Sequence, residues 1–168
     1  MKYLIFILTV SLLILLPKTG DSSTETIPYY MFRASQEFDV EVPLLYAFCH
    51  VESKCKQNAL NKDDGRKESR ARGVKTHSHG LFQIQLPTAR GLGFRGTKKD
   101  LMKPDVNTWY AAKLIRELMD KYEDLPKVIS AYNAGHPSRH NKKYVHLVMK
   151  AYINYQLDHI VTPKNIQE

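Results

Sequence analysis

The chain has 168 residues, of which 43% are hydrophobic and 25% charged, and a formal charge of +8. That length suits one compact domain burying about two-thirds of its unfolded surface, and the composition excludes a disordered tail or a multi-span membrane protein. The positive balance suits an anionic polymer or surface; nucleic acid would fit the charge, but the signs of export in the first residues make it the poorer match.

Met1-Lys2-Tyr3 is a charged start, and residues 4–16 form an apolar run too short to span a bilayer comfortably. Residues 1–20 are therefore expected to be a secretory signal. Residues 17–22 hold no clear Ala-x-Ala cleavage site, so an uncleaved membrane anchor is the competing expectation. No cysteine follows the apolar run, which argues against lipoprotein processing. Loss of Lys2 and Lys18 with the signal would leave a charge of about +6. Residues 21–27 are polar and linker-like, and one domain is expected over 28–160.

Residues 28–38 read as a first helix with Tyr29, Phe32 and Phe38 as its packing residues. A second helix follows from Pro43, a residue suited to a first turn. At 3.6 residues per turn Leu45, Phe48 and Glu52 share one face, flanked by Leu44 and Val51. Glu52 thus belongs to the apolar stripe, where desolvation favours the neutral carboxyl and raises its pKa, as a general acid near neutral pH requires. The plain alternative is a helix-end Glu that swings out to water.

Cys49 and Cys55 bracket Glu52, and in an exported chain an even count permits a disulfide. One continuous helix would hold them about 9 Å apart, beyond bridging distance. A bridge needs the helix to end at Glu52 or Ser53 and the chain to fold back; otherwise Cys49 is buried and Cys55 unpaired.

Residues 56–79 are polar, with a turn signal at Asn61-Lys62-Asp63-Asp64-Gly65 and a basic run at 66–72, so a long loop or small hairpin is expected. Asp63-Asp64-Gly65 lacks the ligand pattern of a calcium loop. Gly80-Leu81-Phe82-Gln83-Ile84-Gln85-Leu86 is a compact mixed run, and Pro87 opens a short helix closed by Gly91 or Gly93. Residues 96–103 read as a basic loop. Residues 107–122 give the clearest helix, with Tyr110, Ala111, Leu114, Leu118 and Tyr122 on its apolar face. Asp124 and Pro126 start another helix that stops at Gly135. A last helix over 141–158 packs Tyr144, Val148, Ala151 and Tyr155. His77, His79, His136 and His140 have no third ligand at a plausible spacing, so no metal and no cofactor is expected.

Val51-Glu52-Ser53, Gly80-Leu81-Phe82-Gln83-Ile84 and Ala131-Tyr132-Asn133-Ala134-Gly135 stand in order. Together with Pro87-x-x-Ala89-Arg90, Pro104-Asp105-Val106-Asn107 and Tyr144-Val145, the chain from 34 to 155 resembles the catalytic domain of soluble lytic transglycosylases, a lysozyme-like family that cleaves peptidoglycan. Phe82 stands where that family usually has Met, and the loop over 61–79 is longer and more basic than its usual connection. The resemblance implies a mainly α, lysozyme-like single domain with the polar loop or hairpin beside a cleft. It implies Glu52 as acid and base, with Tyr132 as the hydroxyl that orients it. Gln83 and Asn133 would donate to the glycan, Phe82 and Gly80 would form cleft wall, and Ser53 would fix local geometry. It implies cleavage of the MurNAc-GlcNAc β-1,4 bond without water, giving 1,6-anhydromuramic acid ends. The expected partner is the peptidoglycan glycan strand, met by a monomer in the periplasm or cell envelope, with or without a membrane tether. A secretion, conjugation or pilus apparatus is a further expected partner, and a phage wall-opening role fits equally. The competing functions are a hydrolytic goose-type lysozyme and an inactive glycan-binding scaffold.

Overall fold

The computed structural model describes residues 26–61 and 77–160. The expected signal at 1–20, most of the linker, most of the turn at 61–65 and the basic run at 66–72 lie outside them. The described chain is mainly α, with seven α-helices and one small sheet.

Helix α1 (Ile27–Phe38) carries a proline in its first turn and ends where Asp39 takes a left-handed conformation at φ 50°. Its packing residues differ from the expectation. Met31 and Ala34 are buried, whereas Tyr29 and Phe32 are exposed. Helix α1 packs on the long helix α5 (Pro104–Lys121) through these smaller residues, and Tyr29 stays partly open to solvent at the edge of that contact. Phe38 does pack, edge-on against Trp109 with ring centroids 4.8 Å apart.

Helix α2 (Val42–Ser53) supplies a large part of the described core. Leu44, Leu45, Ala47, Phe48 and Cys49 are all buried, because α1 covers one side and the last helix, α7 (Lys142–Ile160), packs along another. A helix apolar on most of its circumference belongs inside a domain. Its start has no side-chain cap, Glu41 preceding it with none of its side chain bonded to the first turn.

After α2 come strands β1 (Leu60–Asn61), β2 (Ser78–His79) and β3 (Ile84–Gln85), antiparallel in that order. Leu60 pairs with His79 and His79 with Ile84, so the described ends of the polar connection form a small sheet against the helices. Helix α3 (Leu86–Gly91) follows at once.

The stretch expected as a basic loop contains a one-turn helix, α4 (Lys98–Leu101). Its cause is legible in hindsight. Thr97 and Asp100 form a capping box, with the Thr97 amide donating to the Asp100 carboxylate at 2.9 Å, and this satisfies two orphan donors reciprocally. Helix α5 buries Ala111, Ala112 and Ile115. Helix α6 (Leu125–Ala134) begins after Asp124, whose side chain makes no cap bond, and stops at Gly135, where φ is 80°.

Candidate active site

Glu52 stands one residue from the end of α2, half-buried. The helix stops there because Lys54 and Cys55 both turn left-handed, at φ 58° and 54°. The Cys55 amide returns to the Cys49 carbonyl at 3.1 Å. The two cysteines are joined as a disulfide with their Cα atoms 5.0 Å apart, and closing so short a loop contributes about 2 kcal/mol in the chain-entropy picture. Ser53 ties this end to the next segment. Its hydroxyl donates to the Leu81 carbonyl at 2.6 Å and accepts the Lys56 amide at 3.1 Å.

The segment it reaches, Gly80 to Gln83, is held from beneath by Asn107 of α5. That fully buried amide donates to the carbonyls of His79 (2.8 Å) and Leu101 (2.9 Å) and accepts the Phe82 amide (2.8 Å). Gly80 sits at φ +73°, and a Cβ there would lie 2.7 Å from the Asn107 side chain. Only glycine meets both demands. Asn107→Ala would strand an amide and two carbonyls in the interior. The expected loss is roughly 2–5 kcal/mol of stability, read from chemical denaturation of parent and variant.

Glu52, Gln83, Tyr132 and Asn133 line one cleft together with Ser78, Gln85, Thr88 and Leu114. Glu52 is the only carboxylate among the described residues lining it. Gln83 adopts a left-handed backbone at φ 49°. Its side-chain Nε2 donates to the carbonyls of Gly80 (2.8 Å) and Ala59 (3.2 Å). Facing two acceptors, that end must be the NH2, and both its hydrogens are used. The amide oxygen is then what Gln83 has left for a ligand, not the donor expected from sequence.

The hydroxyl that reaches Glu52 comes from Tyr144 on α7, which donates to Glu52 Oε1. Tyr132 instead donates to the Phe82 carbonyl at 2.8 Å, while its ring packs on Phe48 with centroids 4.5 Å apart. Tyr132 is the nearer residue in the sequence motif, but the turn at Phe82 offers its hydroxyl a carbonyl. Burial pushes both phenols well above their usual range, and the charge of Glu52 adds to the shift. Both hydroxyls therefore stay protonated donors.

Phe82 is wholly buried in the core and Gly80 is buried against Asn107. They support the cleft from behind and are not among the residues lining it. Asp63, Asp64 and the basic run fall outside the described residues. His79 is buried in β2 with Nδ1 3.4 Å from the Ile84 carbonyl, and burial lowers its pKa.

Sequence reasoning passed over the roles of Tyr144 and Asn107. Tyr144 sits at a packing position of an amphipathic helix, and its partner lies 92 residues away. The pairs Tyr144-Val145 and Val106-Asn107 were the available signal. The sequence profile of the transglycosylase SLT domain matches residues 29–153, most of the chain and all of the cleft. Comparison with curated proteins finds no match. With that profile spanning Glu52, the 80–83 turn, Asn133 and Tyr144, the chain belongs to the transglycosylase SLT domain family and is a lytic transglycosylase acting on peptidoglycan.

Proposed function

We propose that this enzyme is exported and cuts the MurNAc-GlcNAc bond without water, with Glu52 as its acid and base. The observation that carries the reading is a cleft with Glu52 as its one described carboxylate, held by a neutral tyrosine hydroxyl. Glu52 begins as the acid and gives its proton to the glycosidic oxygen as the bond from the anomeric carbon breaks. The N-acetyl group of the substrate assists at that carbon, so no protein carboxylate serves as nucleophile. The Glu52 carboxylate then takes the proton of the muramyl 6-hydroxyl, whose oxygen closes onto the anomeric carbon. Glu52 is protonated again, and the product is a 1,6-anhydro sugar.

Tyr144 orients the carboxyl group. Ser53, Asn107 and Tyr132 hold the end of α2, the 80–83 turn and α6 around it. Gln83 and Asn133 contact the glycan. The apolar run at residues 4–16 supports export to the periplasm or cell envelope, as a monomer that opens the wall locally for an envelope-spanning assembly or a phage.

An inverting hydrolase needs a second carboxylate about 6.5–9.5 Å from the acid, with a water between. Asp63 and Asp64 are the residues that could supply one, yet they stand in a run with turn composition. Asp63→Asn and Asp64→Asn, singly and together, are expected to leave turnover on purified sacculi within about twofold of the parent. Loss of activity in either variant would give that carboxylate a catalytic role and contradict a one-carboxylate mechanism.

A further inference from the structure

Away from the cleft, α1 and α5 enclose a second pocket of about 300 Å³, lined by Tyr29, Tyr30, Trp109 and Tyr110 with Arg33 and Asp105. It shares no lining residue with the Glu52 cleft. On α5 the pocket is lined between Asp105 and Tyr110, and the cleft by Leu114 further along.

The rings are held in place before anything binds. Trp109 packs edge-on against Phe38 (4.8 Å), Tyr110 against Phe94 (5.1 Å) and Tyr29 against Tyr30 (6.0 Å). Arg33 lies over the Tyr29 ring at 5.9 Å and donates to the Tyr29 hydroxyl at 3.2 Å. Asp105 is an exposed acceptor in the first turn of α5. The pocket thus combines apolar ring surface with one strong donor group and one strong acceptor.

That combination fits a sugar. A pyranose ring offers an apolar C–H face to an aromatic ring, and hydroxyl edges that both donate and accept. A lipid chain or an apolar helix would take water from the Arg33 and Asp105 charges and offer no polar group in its place. The volume lies at the small end of ligand sites, about 300–1,000 Å³, and admits one sugar unit. We propose that this pocket is a second saccharide site, which seats one N-acetylhexosamine unit of a glycan strand while the Glu52 cleft cuts the same polymer elsewhere. The choice of polymer rests on the peptidoglycan reading.

The chain has one tryptophan, Trp109, so tryptophan emission comes from a residue that lines this pocket and not the cleft. The probe is a soluble N-acetylglucosamine tetramer, titrated into the parent, the Glu52→Gln variant and the Tyr29→Ala/Arg33→Ala double variant. Tyr29 and Arg33 are exposed, so their replacement leaves the fold intact, which matching melting curves verify. A saturable change in emission is expected in the parent and in Glu52→Gln. The double variant should need at least about tenfold more probe, as loss of an aromatic contact and a charged hydrogen bond implies. Silent emission, or a midpoint unmoved by the double substitution, would overturn the proposal. Cleavage of sacculi by the parent is measured separately. An enzyme that cleaves with silent Trp109 loses only the second site, and one that titrates without cleaving loses only the activity.

Discussion

Glu52→Gln is expected to lower turnover on purified sacculi by at least about 10²–10⁴-fold while the protein still folds. The substitution keeps the shape of the side chain and an oxygen that can accept from Tyr144, so α2 and its neighbours should pack unchanged. It removes the group proposed both to give and to take the proton. Nothing else described in that lining is a carboxylate, so no neighbour can take over. Matching far-ultraviolet spectra and melting curves establish that the loss is chemical. A folded Glu52→Gln protein with near-parental turnover would place the chemistry elsewhere.

The second large effect belongs to Tyr144. Tyr144→Phe keeps the ring and deletes the hydroxyl that holds Glu52 Oε1. A carboxyl group no longer fixed against the glycosidic oxygen should cost about 10–10²-fold in turnover. Tyr132→Phe provides the contrast. Its hydroxyl serves the Phe82 carbonyl, so its loss leaves a carbonyl short of a partner and costs about 1–3 kcal/mol of stability. The rate should fall less than in Tyr144→Phe. Rates and denaturation curves on both variants separate the two roles. Equal rate losses with unchanged stability in both would mean that the two hydroxyls act on Glu52 alike.

Much of this was legible because it is local. Apolar periodicity placed α2, α5 and α6, and Pro43 and Gly135 marked boundaries that the backbone respects. The face shared by Leu45, Phe48 and Glu52 pointed to the residue at the centre of the cleft. What stayed hidden depends on partners far apart in the chain. No spacing rule says that the Tyr144 hydroxyl meets Glu52 while that of Tyr132 meets Phe82. Asn107 reads as one polar residue in an amphipathic helix, and only the folded chain shows it bonded to three backbone groups. Gln83 resembled a ligand donor because its type and motif suggested one. The left-handed turn beneath it draws both its amide hydrogens to the backbone. Tyr29 and Phe32 read as packing residues of α1 from the sequence, whereas the fold buries Met31 and Ala34.

In the proposed reaction the 6-hydroxyl of the substrate, and not water, takes the anomeric carbon. Mass analysis of the fragments released from purified sacculi, digested in water enriched in oxygen-18, tests it directly. Fragments ending in 1,6-anhydromuramic acid, each lighter by one water than the lysozyme product and free of the heavy isotope, are the predicted result. Reducing-end fragments carrying the isotope would make this protein a hydrolase.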